Sequence, residues 1–217
     1  MKVHAIEGLG FSGNIFFVDA DKPCLIDAGW SPDIAHCASH LRKLLGSRSL
    51  AYIILTHRHI DHVGGAMSFY GEFGGEILAH EDDAGPLIAG DEISTGARMF
   101  GGELQPIPVE KLKQGDFVDL GGGERLRVIH TPGHTVGSMC LIGGGNLFSG
   151  DTVFADGGVG RWDLETGNYD NLLASVEKLT GEDIENLHPG HGPSVIGHAK
   201  EHLSLSLRHL RLIGRYG

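Results

Sequence analysis

The feature that most constrains the fold of this chain is the segment THRHIDHVGGA, which follows directly on the apolar run LAYIIL. His57, His59, Asp61 and His62 of this segment fall within six positions. The apolar run is short and rich in β-branched residues, as expected of a strand buried on both faces. The sequence therefore predicts a buried strand that ends in a loop of metal-binding side chains, with a helix beginning in VGGAMSFYGEF.

Strands and helices are predicted in two groups along the rest of the chain. The first group has strands at residues 2–7, 14–19 and 22–27, a helix from an N-cap at Ser31 to Gly46, and a strand at GEILAH. The second has strands at RLRVIHTPGHT, GSMCLIGG, NLFSGDT and IENLHPGHG, and a helix over residues 168–179. Two groups of strands, each closed by helices, indicate two sheets packed face to face.

Two segments between and after these groups have weaker patterns. Residues 91–114 have no regular period, and we expect an irregular segment that covers a site. Near the end of the chain, apolar residues from Ile196 to Leu210 recur at three- and four-residue steps, which predicts an amphipathic helix. A length of 217 residues fits one large domain, so we assign residues 1–217 to a single domain.

Polar side chains recur where the predicted strands end. Besides the histidine cluster they are Asp27 in LIDAG, His134 in TPGHT, Asp151 in SGDT and His191 in HPGHG. Loops at strand ends allow a rigid scaffold to direct several side chains to one point. Imidazole and carboxylate ligands suit zinc, iron or manganese, and the three cysteines include no C-x-x-C pair.

The candidate ligands outnumber those of a single catalytic zinc, which takes about three protein ligands and a water. They divide into two sets of three. The first set is His57, His59 and His134. The second set is Asp61, His62 and His191. Asp151 has two carboxylate oxygens and can bridge both sets, so the sequence predicts two divalent metal ions about 3.5–4 Å apart.

Composition argues against several classes of partner. The formal net charge is −11, from 17 Lys and Arg against 28 Asp and Glu, whereas a nucleic-acid surface needs clustered positive charge. No run approaches the roughly 18 consecutive apolar residues of a membrane span. The first residues lack the pattern of a signal peptide, so we expect a cytoplasmic protein with a small-molecule substrate and no nucleic-acid or membrane partner. The oligomeric state is left open.

The order H-x-H-x-D-H, then a later His, a later Asp and a last His, resembles the ligand order of the metallo-β-lactamase superfamily. The resemblance extends over nearly the whole chain, from CLIDAG to HPGHG. It implies a mixed α/β fold, the four-layer αββα sandwich, with the metal site at one edge of the two sheets. It also implies that Asp27 supports the ligands from behind and does not bind metal.

Within that superfamily, GDTVFADGGVGRWDLETGNYDNLLASVEKL followed by HPGHGP looks most like the glyoxalase II branch, which hydrolyses hydroxyacyl thioesters of glutathione. Two features depart from that branch. Arg58 stands where many members have a third histidine, and few residues follow His191, where the longer enzymes have a helical domain that helps to hold glutathione. The chain is therefore similar to shorter members, and the thiol carrier is left open.

The resemblance and the ligand count together predict a metal-dependent hydrolase of a thioester or similar activated acyl compound. Two divalent ions, zinc first with iron or manganese as alternatives, would activate water. Asp61 is the predicted catalytic residue, because it can bind metal and orient the nucleophile. Arg161 is a candidate for binding a substrate carboxylate, and an ion pair with a neighbouring acid is the alternative.

Two other activities remain open on the same residues. One is a persulfide dioxygenase, in which a single iron would be held by His57, His134 and Asp151. The other is a lactonase or phosphodiesterase that uses the same pair of metals.

Overall fold

Two β-sheets form the centre of the protein in the computed structural model, which describes residues 1–6, 10–30 and 34–214. The first sheet has six strands whose spatial order follows the chain. They are β1 (Lys2–Ile6), β2 (Ile15–Asp19), β3 (Cys24–Ile26), β4 (Tyr52–Leu55), β5 (Glu76–His80) and β6 (Glu110–Leu112). Strands β1 to β3 pair antiparallel, whereas β3 to β6 pair parallel.

The second sheet has five strands in the spatial order β11-β10-β9-β8-β7. They are β7 (Phe117–Gly121), β8 (Glu124–His130), β9 (Met139–Gly143), β10 (Asn146–Gly150) and β11 (Asn186–Pro189). β10 and β11 are parallel, and the other pairs are antiparallel. The parallel pair brings the carboxyl ends of β10 and β11 to the same edge of the sheet.

Helices cover the outer faces of both sheets. They are α1 (Ile34–Leu45), α2 (Ile60–Val63), α3 (Ala66–Phe73), α4 (Glu81–Ala89), α5 (Tyr169–Thr180) and α6 (Ala199–Ile213). One apolar cluster lies between α1, α3, α4 and the first sheet, a second between the sheets, and a third between the second sheet and α5 and α6. The architecture is the four-layer αββα sandwich, which confirms the predicted fold class.

The position of β4, with both faces covered, explains why its sequence is apolar throughout. Ile53 and Leu55 belong to the cluster under the helices, and Ile54 between them belongs to the cluster between the sheets. Alternate side chains point to opposite faces of a strand, so a strand covered on both faces needs apolar residues at every position. The histidine loop that follows is thereby fixed to a fully buried strand.

Three local details differ from the sequence expectation. The helix predicted to begin in VGGAMSFYGEF starts earlier, at Ile60, and is divided into α2 and α3 where Gly65 N donates a hydrogen bond of 3.1 Å to the carbonyl oxygen of Gly29. A Cβ on Gly65 would overlap the carbonyl oxygen of Ala28, so this close approach requires glycine. β6 lies in a stretch predicted to be irregular, and it is a three-residue strand at the edge beside β5. Ile196 is 66% exposed and precedes α6, so it is not part of that helix's apolar stripe.

Other expectations have mixed outcomes. The helix predicted from Ser31 to Gly46 is α1, which ends at Leu45, and Gly46 has a positive φ of 65°. Its predicted N-cap at Ser31 lies outside the described residues. The assignment of residues 1–217 to a single domain stays a prediction. None of the described helices is long and apolar enough to cross a membrane.

Candidate metal centre

The seven predicted ligands converge at one edge of the two sheets. Five of them follow a strand or lie in a loop between strands of this edge, and Asp61 and His62 lie in the short helix α2 after β4. His57 and His59 follow β4, and His134 lies in the loop between β8 and β9. Asp151 directly follows β10, and His191 follows β11. Residues up to 134 positions apart in the sequence therefore meet because of strand pairing.

The first predicted set, His57, His59 and His134, forms a compact group of three imidazoles. Their ring centroids are 4.6 to 4.9 Å apart, and all three pairs are close to perpendicular. His59 Nδ1 lies 2.8 Å from His134 Nε2. The three side chains can each direct one nitrogen to a common point, as a metal site requires.

The second predicted set also assembles. His191 Nε2 lies 3.1 Å from Asp61 Oδ2 and 3.3 Å from His62 Nε2, and the distance from His62 Nε2 to Asp61 Oδ2 is 3.6 Å. Ligand atoms about 2.0–2.2 Å from one tetrahedral ion are separated by distances of this size. The set is therefore suited to a second ion.

Asp151 lies between the two sets, as a bridging ligand must. Its Oδ1 is 3.3 Å from His62 Nε2. Its Oδ2 is 3.5 Å from His134 Nε2 and 3.6 Å from His191 Nε2. One carboxylate thus contacts histidines of both sets.

Two buried atoms at this centre favour a bound cation. His57 Nε2 and Asp151 Oδ1 are buried, and neither has a hydrogen-bond partner among the described residues. A buried polar atom without a partner is costly, and native proteins pair nearly all such atoms. A divalent ion would satisfy both atoms, and the imidazole and carboxylate donors suit zinc, iron or manganese. The residues present therefore fit a metal centre.

Asp27 orients a histidine from each set. Its Oδ2 accepts hydrogen bonds from His62 Nδ1 at 2.8 Å and from Thr56 Oγ1 at 2.9 Å. Thr56 Oγ1 in turn lies 3.1 Å from His57 Nδ1 and can accept its proton. These contacts leave the Nε2 atoms of His57 and His62 free to face a metal. Asp27 has the left-handed φ of 58°, one of two non-glycine residues with a positive φ in the described chain.

His134 is held by a backbone carbonyl in the same way. Its Nδ1 donates a hydrogen bond of 2.7 Å to the carbonyl oxygen of Arg161. The hydrogen bond places the proton on Nδ1 and leaves Nε2 to face His59 and Asp151. A ligand from the β8–β9 loop is thus fixed by the segment that follows β10.

The charges at the centre are arranged to receive a cation. Burial lowers the pKa of His62, but Asp151, Asp61 and Asp27 outweigh that effect and raise the pKa well above its usual range. Burial and neighbouring histidines lower the pKa of His57 well below the usual range and that of His59 to about 3. Neutral imidazoles and ionised carboxylates are the forms that bind metals, so a bound cation would replace the proton that these carboxylates otherwise hold on His62.

Two glycines allow the backbone to approach His62 closely. A Cβ on Gly13 would lie 2.6 Å from His62 Cε1, and one on Gly190 would lie 2.7 Å from the same atom and overlap Asp151 Oδ1. Any larger residue would displace the ligands. No motif in the sequence marks Gly13, whereas Gly190 lies beside His191 in HPGHG.

Asp83 is a second supporting residue that sequence reasoning missed. Its buried carboxylate accepts hydrogen bonds from Arg58 N at 3.0 Å, Thr135 Oγ1 at 2.7 Å and Gly137 N at 3.1 Å. Arg58 lies between two ligands, and Thr135 follows a third. Asp83 therefore connects the two loops that supply the first set of histidines. In the sequence it is one of three consecutive acids, EDD, at the start of a helix, with nothing to distinguish it from its neighbours.

A cavity of about 410 Å³ opens onto the metal centre. His59, Asp61, His134 and Asp151 contribute to its lining, as does Arg161. The predicted substrate-binding role of Arg161 thus agrees with its location, and stays a prediction. Its guanidinium also donates two hydrogen bonds of 2.9 Å to Asp163, the ion pair weighed as the alternative.

Two histidines near the ligand loops have packing roles. His130 stacks on His80 with ring centroids 3.9 Å apart, and its Nε2 donates to the carbonyl oxygen of Val136. His188 stacks on Phe148 and bonds to Asn146 Oδ1. Neither His130 nor His188 belongs to the two ligand sets.

The four-layer sandwich and a paired histidine–aspartate centre at its edge define a class of proteins. The chain belongs to the metallo-β-lactamase superfamily, whose family model matches residues 8–191. The fold, the donor clusters and the family together indicate divalent metal binding, with the identity of the metal open.

Individual relatives narrow the class further. The chain is 34% identical over 191 residues to "Probable metallo-hydrolase MJ0888" of Methanocaldococcus jannaschii, covering 86% of this chain and 91% of the relative. It is 36% identical over 130 residues to a hydroxyacylglutathione hydrolase of Aeromonas hydrophila, covering 58% of this chain and 41% of that enzyme. The crystal structure of TTHA1623 in a di-iron-bound form superposes with a TM-score of 0.73 at 28% identity, covering 96% and 97% of the two chains. These similarities support a hydrolase-type enzyme.

Proposed function

We propose that this protein hydrolyses a thioester of a small-molecule substrate at a dinuclear metal centre, in the manner of the glyoxalase II branch. The observation that carries the proposal is the pair of three-ligand sets joined by Asp151 at a cavity large enough for a substrate. The similarity to a hydroxyacylglutathione hydrolase over 58% of the chain supports the thioester as substrate.

Each residue of the centre has a proposed role. His57, His59 and His134 would hold one divalent ion. Asp61, His62 and His191 would hold the other, and Asp151 would bind both. Zinc is the proposed metal, with iron or manganese as alternatives, and a di-iron neighbour supports iron. When bound, such ions lower the pKa of a coordinated water from about 16 towards roughly 7 and polarise a carbonyl group.

Asp61 is the proposed catalytic residue. Its side chain is 20% exposed and lines the cavity, and its Oδ2 is 3.1 Å from His191. A carboxylate in this place can orient the attacking water and accept its proton. His59 of the first set lines the same cavity as Asp61 of the second, so the substrate's reacting bond would lie over both ligand sets.

The test compares purified wild type with His57→Ala and, as a control, His198→Ala, whose side chain is 68% exposed and belongs to neither ligand set. We expect wild type and His198→Ala to hydrolyse thioesters and to contain metal. We expect His57→Ala to lose hydrolysis and the ion of the first set, since a buried ligand of that set is removed. Thioester hydrolysis by a metal-free His57→Ala protein would contradict the proposal.

The alternative activities are separated by further substrates. A persulfide dioxygenase would consume oxygen with a persulfide substrate and hold one iron on His57, His134 and Asp151. A lactonase or phosphodiesterase would cleave those esters faster than thioesters. The complete second set at Asp61, His62 and His191 favours a two-metal hydrolase, because a single iron leaves those ligands unused.

A further inference from the structure

We propose that the substrate carries a neutral, apolar group that packs on Ile93, Met99 and Phe100, and that its carrier is not an anionic thiol such as glutathione. The reaction in this inference rests on the proposed thioester hydrolysis. The binding preference rests on the cavity itself and can be measured without turnover.

One wall of the cavity consists of apolar side chains that no part of the described chain covers fully. Met99 is 77% exposed, Ile93 is 65% exposed and Phe100 is 44% exposed, and all three line the cavity. Large apolar side chains grouped at a cavity beside a metal centre are typical of a ligand-binding surface. Leu164 adds a fourth apolar residue to the lining.

This wall is held in place by the structure behind it. Ala97 is fully buried and anchors the 3₁₀ turn Ala97–Phe100, and Phe100 contacts Trp30 and Phe11 at ring-centroid distances of 5.5 and 6.3 Å.

The same segment is joined to the metal-binding loop. Ile60 N donates a hydrogen bond of 2.8 Å to the carbonyl oxygen of Thr95. Ile60 lies between the ligands His59 and Asp61 in the sequence, so the apolar wall and the metal centre are fixed relative to each other.

The charges of the cavity disfavour an anionic carrier. Arg161 is the cationic side chain that lines the cavity in the described part of the chain, and both of its hydrogen bonds to Asp163 are already formed. Glu165 also lines the cavity, whereas Arg58 and Arg98 do not. Apart from the ions of the metal centre, the described lining thus offers the two carboxylates of glutathione a cation already paired with Asp163 and the like charge of Glu165, and no free cationic side chain to bind them.

The experiment measures binding of four thioethers, which cannot be hydrolysed, to the metal-loaded protein by calorimetry. They are the S-benzyl and S-methyl derivatives of N-acetylcysteamine, which is neutral, and of glutathione. We expect benzyl to bind about tenfold tighter than methyl on either carrier, because it buries an aromatic ring. We expect glutathione to give no gain over N-acetylcysteamine. Tighter binding of the glutathione compounds would overturn the inference, and so would equal binding of benzyl and methyl with no kinetic preference for a ring on either side of the thioester.

A kinetic comparison identifies the side of the thioester that carries the apolar group. N-acetylcysteamine thioesters of phenylacetic and acetic acid place the ring on the acyl side. The benzyl thioethers place the ring on this acyl side too, whereas acetyl thioesters of benzyl mercaptan and methanethiol compare a ring with a methyl group on the thiol side. A higher kcat/KM for phenylacetyl than for acetyl assigns the wall to the acyl group. A higher kcat/KM for the benzyl mercaptan ester than for the methanethiol ester assigns it to the thiol. If neither comparison shows a preference, the inference is wrong.

Charge substitutions on the wall test the assignment to these residues. Met99→Lys and Ile93→Lys should each abolish the benzyl preference and strengthen binding of the glutathione thioethers. The control is Leu212→Lys, at a 41% exposed apolar residue of α6 that does not line the cavity, and it should keep the wild-type preferences. Unchanged preferences in both wall variants, with thermal unfolding as in wild type, would also overturn the inference.

Failure of the inference and failure of the proposed function give different results. A benzyl preference in a protein that hydrolyses no thioester supports the apolar group and contradicts the proposed reaction. Thioester hydrolysis with a preference for glutathione compounds supports the proposed reaction and contradicts the inference about the carrier.

Discussion

The carboxylate of Asp27 determines which ring nitrogen His57 and His62 direct towards the proposed metal ions. Asp27 bonds to His62 Nδ1 directly and is connected to His57 Nδ1 through the Thr56 hydroxyl. Groups that hold metal ligands from behind fix the tautomer and the ring orientation, and their loss typically lowers metal affinity about 10- to 100-fold.

We therefore predict that Asp27→Asn lowers zinc affinity about 10- to 100-fold, measured by competition with a chromophoric chelator. Asparagine tolerates the left-handed backbone and keeps the shape, so the change isolates the charge. The matched control is Asp156→Asn, which has a similar φ of 56° at an exposed site away from the ligands. Equal affinities in the two variants would contradict the supporting role of Asp27.

The burial of His188 leads to a prediction about the free energy of unfolding at low pH. Burial lowers the pKa of His188 to about 4, whereas an unfolded chain has the ordinary value of 6.5. Its neutral form therefore stabilises the fold above pH 6.5, and this contribution is lost as the pH falls from 6.5 towards 4. We predict that this one side chain accounts for a loss of about 2 kcal/mol in the free energy of unfolding between pH 7 and pH 5.

The measurement is urea unfolding of wild type and His188→Gln at both pH values. Glutamine retains a hydrogen-bond donor near Asn146 but does not titrate. Because the metal centre contributes to both proteins, the difference between their pH dependences isolates His188. The same loss of stability in both proteins would show that His188 is not the titrating group.

At the scale of secondary-structure elements, one residue of α4 connects two ligand loops. Asp83 bonds to Arg58 N in the loop after β4 and to Thr135 Oγ1 and Gly137 N in the loop between β8 and β9. These elements belong to different sheets. The position of His134 relative to His57 and His59 therefore depends on a carboxylate that itself binds no metal.

We predict that Asp83→Asn lowers the free energy of unfolding by about 1–3 kcal/mol, because a buried carboxylate that accepts several hydrogen bonds is lost. It should also release metal to a chelator faster than wild type, since the first ligand set loosens. Asp82→Asn is the control, because the neighbouring Asp82 is 46% exposed. Metal release at the wild-type rate in Asp83→Asn would contradict the connection.

The sequence was most informative where a residue's chemistry and its place at a strand end coincide. All seven proposed ligands were identified because His and Asp after apolar runs are unusual. Elements whose pattern is strong, such as α5 and β4, also lie within a residue or two of the prediction.

What the sequence did not show depends on packing between distant segments. β6 has three residues and exists because β5 offers an edge to pair with. Asp83 has no pattern that separates it from Asp82. The pairing of Arg161 with Asp163 was one of two open alternatives, and side-chain geometry was needed to show that the ion pair forms.

At the scale of the whole molecule, the two sheets meet so that both ligand sets share one edge. The first set uses β4 of the first sheet and the β8–β9 loop of the second. The second set combines Asp61 and His62 of α2 with His191 after β11, and Asp151 after β10 lies between the sets. Each proposed metal would therefore join the two halves of the sandwich.

The number of metal ions bound per chain tests this arrangement most directly. We predict two divalent ions per chain in natively purified wild type, measured by elemental analysis against protein concentration. We predict about one ion in His134→Ala, which lacks a ligand of the first set, and about one in His191→Ala, which lacks a ligand of the second. A single ion in wild type, with no change on His191→Ala, would contradict the dinuclear centre.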